Sequence, residues 1–175
     1  MMNARAFVVA ALAACTMQAA QAQETATESA ALRCSAVSLL HSSLTVPSPQ
    51  FGEVMGQIAG LFAEIYSTQA DLRTKSKLTN ADIKARRDAV LGELRKGWPG
   101  NKDKLVREAA LCNKWRGEFF AKLPEKPTEK QFTAAMAQTT PPTVAPDKAD
   151  IDKWSRMTTE AMGAAAAMQV QPPKK

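Results

Sequence analysis

Between residues 49 and 75 the apolar side chains Phe51, Val54, Met55, Ile58, Leu61, Phe62, Ile65 and Leu72 recur at steps of three and four. That period lays them along one face of a single long helix. A face of that length has to be covered by other elements, and the rest of the chain offers only helices. Ala, Leu, Lys, Glu, Gln and Met are plentiful, and β-branched residues never gather into alternating runs. The expected fold is therefore all-α.

Breaks in the pattern divide the chain. A first helix is expected over Thr27–Ser42, with Leu32, Ala36, Leu39 and Leu40 as its stripe and Cys34 and Val37 beside it. Ser48-Pro49 reads as N-cap and first turn of the long helix. Thr79-Asn80-Ala81-Asp82 resembles a capping box for a third helix bearing Ile83, Val90, Leu91 and Leu94, which Gly97-Trp98-Pro99-Gly100 ends. Asn101 is expected to cap a fourth, with Leu105, Ala109, Cys112, Trp115 and Phe119 on one side. Beyond Leu123-Pro124-Glu125-Lys126-Pro127, Thr128 starts a short helix carrying Phe132, Ala135 and Met136. The prolines of residues 139–146 hold a semi-extended link, and a last helix is expected over Asp147–Met168.

The cysteines tie this layout to a compartment. Met1–Arg5 carries one positive charge, Ala6–Ala14 is unbroken and apolar, and Ala20-Gln21-Ala22 supplies small-x-small. This is the order of a secretory signal peptide, cleaved after Ala22. Leu12-Ala13-Ala14-Cys15 also fits a lipobox, in which Cys15 is lipidated and the product is an outer-membrane lipoprotein. Either route takes Cys15 out of thiol chemistry and leaves Cys34 and Cys112, which lie 78 residues apart. In an oxidising compartment such a pair reads as one structural disulfide. No Cys-x-x-Cys motif points to redox exchange, zinc or haem. The bond is expected to clamp the fourth helix to the first inside the core.

Four units result: 1–22, the signal peptide; 23–122, a four-helix core clamped by Cys34–Cys112; 123–146, a proline-containing linker with a short helix; and 147–175, an amphipathic C-terminal helix with a frayed tail. The fold expected is a small disulfide-clamped helical bundle with a helical, Pro-linked extension. After cleavage the chain keeps about 150 residues, enough for one modest core. Arg5 leaves with the leader and no acid does, so a net charge of +6 becomes +5. The basic residues sit among acids, as in Arg86-Arg87-Asp88 and Lys102-Asp103-Lys104. This suits solvated helix faces and argues against a nucleic-acid partner. No second apolar run is long enough to span a bilayer.

No set of residues stands out as catalytic. His41, the one histidine, neighbours Ser42 and Ser43 without a carboxylate, and a place near a helix C-terminus explains it. Methionines with His41 would be a soft set for copper(I), but Met157 and Met162 are five apart and read better as packing. Glu53 and Glu64 are three turns apart, and Glu125 and Glu129 flank a break. No catalytic, cofactor or metal site is assigned. Gly52, Gly56 and Gly60 repeat at steps of four, a pattern that lets another helix approach closely. They are expected to pack on the first or fourth helix, with a homodimer or partner groove as the alternative. Trp154, Met157, Ala161 and Met168 on the last helix form a candidate interaction surface. The expected role is that of a non-enzymatic protein-interaction module, periplasmic or secreted: an adaptor, an assembly factor or an immunity-type inhibitor. Its partner would be another envelope protein. The alternative is a small-ligand or metal-binding periplasmic bundle.

Overall fold

A computed structural model describes residues 24–44 and 49–169, with the side chains of 24–43 and 52–160. The described chain is all-helical: α1 (Ala26–Leu44), α2 (Pro49–Thr74), α3 (Asn80–Lys96), α4 (Lys102–Ala121), α5 (Glu129–Gln138) and α6 (Lys148–Gln169). The signal peptide, Ala22, Cys15 and the Ser48 cap lie outside these residues.

The starts of the helices follow their capping chemistry. Thr79 Oγ1 accepts the Asp82 N–H and Asp82 Oδ2 accepts the Thr79 N–H, so the expected capping box is formed. Hydrogen bonding to Thr79 holds the Asp82 carboxyl below its usual range. Thr128 and Gln131 make the same reciprocal pair at α5. A third box opens α1, where the Glu28 N–H bonds Thr25 Oγ1 and the Thr25 N–H bonds Glu28 Oε2. The helix thus begins one residue ahead of its expected start. Asn101 does not cap α4: its Nδ2 turns back and donates to the Leu94 carbonyl at 3.1 Å. There it satisfies a carbonyl of the last turn of α3, one of those a helix end leaves open.

α1 is the centre of the fold, in contact with α2, α3, α4 and α6, while α5 packs on α2 and α6 on α4. Surrounded in this way, α1 is buried on nearly every side. Ala31, Leu32, Cys34, Ala36, Val37 and Leu40 are buried, and so are the polar Glu28, Ser35, Ser38 and His41. An amphipathic stripe, as expected from Leu32 to Leu40, understates this helix. Its side chains are small where neighbours close in, and buried polar groups are tolerated because they are bonded. Ser35 Oγ donates to the Ala59 carbonyl of α2 at 2.7 Å.

The disulfide joins Cys34 of α1 to Cys112 of α4 with the Cα atoms 5.5 Å apart, in the position the sequence predicts. Arg33 braces the same seam with a two-pronged contact to Glu108, from Nη2 at 2.8 Å and Nε at 3.1 Å. Below it Trp115 packs on Phe62, ring centroids 4.9 Å apart. Trp115 donates from Nε1 to Thr139 Oγ1 at 2.8 Å, while Gln69 Nε2 donates to the carbonyls of Met136 and Thr139. These bonds fasten the end of α5 to α2 and α4. Met136 and Trp154 both belong to the main hydrophobic cluster, so the C-terminal helices pack on the core.

Candidate functional site

At one end of the bundle, charged side chains of α1 and α2 meet. Glu28 is 1% exposed, and Arg73 Nε reaches its two oxygens at 2.8 and 3.0 Å. Beside this pair Tyr66 is buried and accepts from Arg86 Nη1 at 2.9 Å. Burial, together with hydrogen bonding to Glu24 and its negative charge, pushes the phenol up to about 12. Each member answers another inside the chain, and the arrangement reads as a brace.

His41 is fully buried, not a residue of an open helix end. Its Nδ1 lies 2.9 Å from the Val37 carbonyl of its own helix, and its ring meets Trp154 edge-on. Burial lowers its proton affinity, and the Val37 carbonyl opposes this only in part. Among the described residues no three His, Cys, Asp or Glu side chains converge as a metal site. No described helix is long and apolar enough to cross a membrane.

Of the four residues read as an interaction surface, Trp154 turns inward at 5% exposure and Met157 is half-buried. The side chains of Ala161 and Met168 lie outside the described set. Thr158, one turn after Trp154, is buried and donates to the Trp154 carbonyl. Over its described side chains, the inner face of α6 is therefore spent on α1 and α4.

The glycine series departs from expectation. Gly52 faces α1, with Ser42 Oγ 3.8 Å from where a Cβ would stand, but Gly56 and Gly60 have nothing within 4 Å. Steps of four drift by about 40° around a helix, so the series walks off the α1 contact and out to solvent. Close packing by all three glycines is thus replaced by a single approach at Gly52.

Val54, Leu72, Phe120 and Val144 are the large apolar side chains left open among the described residues, and Leu72 is the one that borders a groove. Leu72, expected in the core, is 63% exposed. It borders a groove of about 730 Å³ between α2 and α5, whose α5 wall is Thr133, Ala134 and Ala137, with Asp71, Glu129 and Lys130 around it. Those short side chains cannot reach across to cover a leucine, so the groove stays open. A second, more polar cleft of about 410 Å³ separates α2 from α3, where Ser67 and Thr68 face Lys84 and Arg87 above Met136. Neither place is marked by a motif. The legible signal was compositional: a helix as poor in large side chains as α5 leaves its neighbour uncovered.

Comparison of the chain with protein-family models, with curated proteins and with solved structures finds no match in any of the three.

Proposed function

We propose that this is an exported protein of a bacterial envelope that acts by holding another protein, and that the α2/α5 groove is where it holds it. The observation that carries the reading is Leu72, at 63% the most exposed large apolar side chain of α2, left open at the edge of an alanine- and threonine-walled groove. Exposed apolar surface rimmed by polar residues is the usual form of a docking site. The occupant is an amphipathic helix of a partner protein, its apolar ridge on Leu72 and Ala137. Asp71 and Glu129 outnumber Lys130 on the rim, so the ridge is flanked by a basic side chain. A second copy of this chain suits the groove less well, because the exported molecule, without Arg5, carries a net positive charge of +5 from the +6 of the full chain. Export is supported by the leader pattern and by the Cys34–Cys112 bond, which persists in oxidising compartments.

A photo-reactive residue at position 72 tests the groove. In envelope extract it should form one adduct of defined mass, which the same residue at Lys104 on α4 does not form. Leu72→Asp should abolish binding of the protein so identified while leaving the melting temperature within a degree or two. Adducts of equal pattern at both positions would overturn the reading. Mass analysis of the envelope fraction tests export: the chain should begin at Gln23, or at a lipid-bearing Cys15, and a chain retaining Met1 would refute it.

A further inference from the structure

We propose that the cleft between α2 and α3 binds a small zwitterion, an amino acid or dipeptide, with its carboxylate on Arg87 and its ammonium on Glu64. The cleft shares Thr68 with the α2/α5 groove, but the proposal does not depend on what occupies that groove. The cleft exists because α2 and α3 each pack chiefly on α1 and meet one another only sparsely, leaving about 410 Å³ between them. That is within the range of small-molecule sites.

Its two walls differ in charge. Glu64 stands on the α2 wall with the hydroxyls of Ser67 and Thr68, and Arg87 stands on the α3 wall. Ile83 and Met136 supply an apolar floor. The α3 wall holds a second cation, but Lys84 Nζ is already engaged at 2.5 Å by Asp88. Arg87 is different. Its Nε is shielded from water and has no hydrogen-bond acceptor among the described residues. The closest carboxylate oxygen, on Asp88, is 4.0 Å away, beyond hydrogen-bonding range.

A shielded guanidinium N–H without an acceptor is costly, and an oxyanion placed beside it removes that cost. A carboxylate is the natural complement of the planar guanidinium. A simple anion would leave Glu64 facing it across the cleft as a like charge. A ligand with both signs satisfies both walls, while the hydroxyls of Ser67 and Thr68 fix its orientation.

Amide chemical shifts of the full exported chain, titrated with L-alanyl-L-alanine, its N-acetyl form and its C-terminal amide, test this. The zwitterion should give saturable shifts confined to residues 63–68 and 80–87. Both blocked forms, and the Arg87→Gln protein, should bind about tenfold more weakly or worse. Glu64→Gln should erase the preference for the free amine over the N-acetyl form. Glu64 is exposed, so this variant decides the matter even if Arg87→Gln perturbs folding. Absence of saturation at about 10 mM, or equal binding of the free and N-acetyl dipeptides by the unaltered protein, would overturn the proposal.

Discussion

The imidazole of His41 on α1 stands edge-on to the indole of Trp154 on α6, ring centroids 6.0 Å apart and planes at 86°. Both rings are buried, so the contact joins the central helix to the last one across the core. A proton added to His41 would have to be accommodated there without water.

Stability is therefore expected to fall as the pH drops below about 6.5. Burial lowers the His41 pKa in the folded chain below the ordinary imidazole value of 6.5. Between those two values the unfolded chain binds a proton that the folded chain does not, and stability rises with pH. The stabilisation of the neutral ring is complete above pH 7 and declines as the pH falls below 6.5 toward the lowered folded-state value. Urea midpoints measured at pH 7.5 and 5.5 should differ, and His41→Gln should flatten that difference. His41 is the one histidine in the chain, so a slope that survives its removal would refute the assignment.

Loss of the disulfide should cost up to roughly 4 kcal/mol, because reduction frees a loop of 78 residues in the unfolded chain. The intact protein should weigh two hydrogens less than its reduced form under non-reducing mass analysis. The Cys34→Ser, Cys112→Ser double variant should show the lower urea midpoint whether or not reductant is added.

Gly56→Ala and Gly60→Ala should each stabilise the protein by about 0.5–1 kcal/mol. Glycine in a helix interior is unfavourable by that amount relative to alanine, and a Cβ at either position meets nothing within 4 Å. Thermal unfolding checks this directly. A destabilised Gly56→Ala chain would mean that another surface covers that face in solution.

Removing Arg73 should cost more than removing an exposed ion-pair partner, because Glu28 would remain buried without its cation. Glu28→Gln with Arg73→Gln should cost less than the sum of the single changes. A double-mutant cycle in urea gives the comparison, and strict additivity would show that the pair is not a unit.

Most of the fold was legible because helix ends are local chemistry. Thr79 with Asp82 and Thr128 with Gln131 announce their helices within four residues, and the Gly97–Gly100 turn separates α3 from α4 without reference to anything distant. The Cys34–Cys112 pairing followed from counting thiols. What could not be read is what depends on which helices touch. His41 looked like a C-terminal residue because it is three positions from the end of α1, yet α6 returns to cover it. Leu72 keeps the period of Ile65 and Leu61, but the short side chains of α5 leave it open. Arg87 lies in an ordinary charged run, and only the gap between α2 and α3 distinguishes it from Arg86, which is tied to Tyr66.

The position of α1 has one more consequence. A helix at the rim of a bundle accepts polar replacements on every third or fourth residue, so its tolerance to substitution is striped. From Ala31 to His41 almost every side chain is enclosed, whether apolar or polar. A complete substitution scan should therefore show a solid band of intolerance there, with Arg33 and Leu39 as its partial gaps. Read without the structure, such a band would be mistaken for the active segment of the molecule, when it is the hub on which the other helices hang.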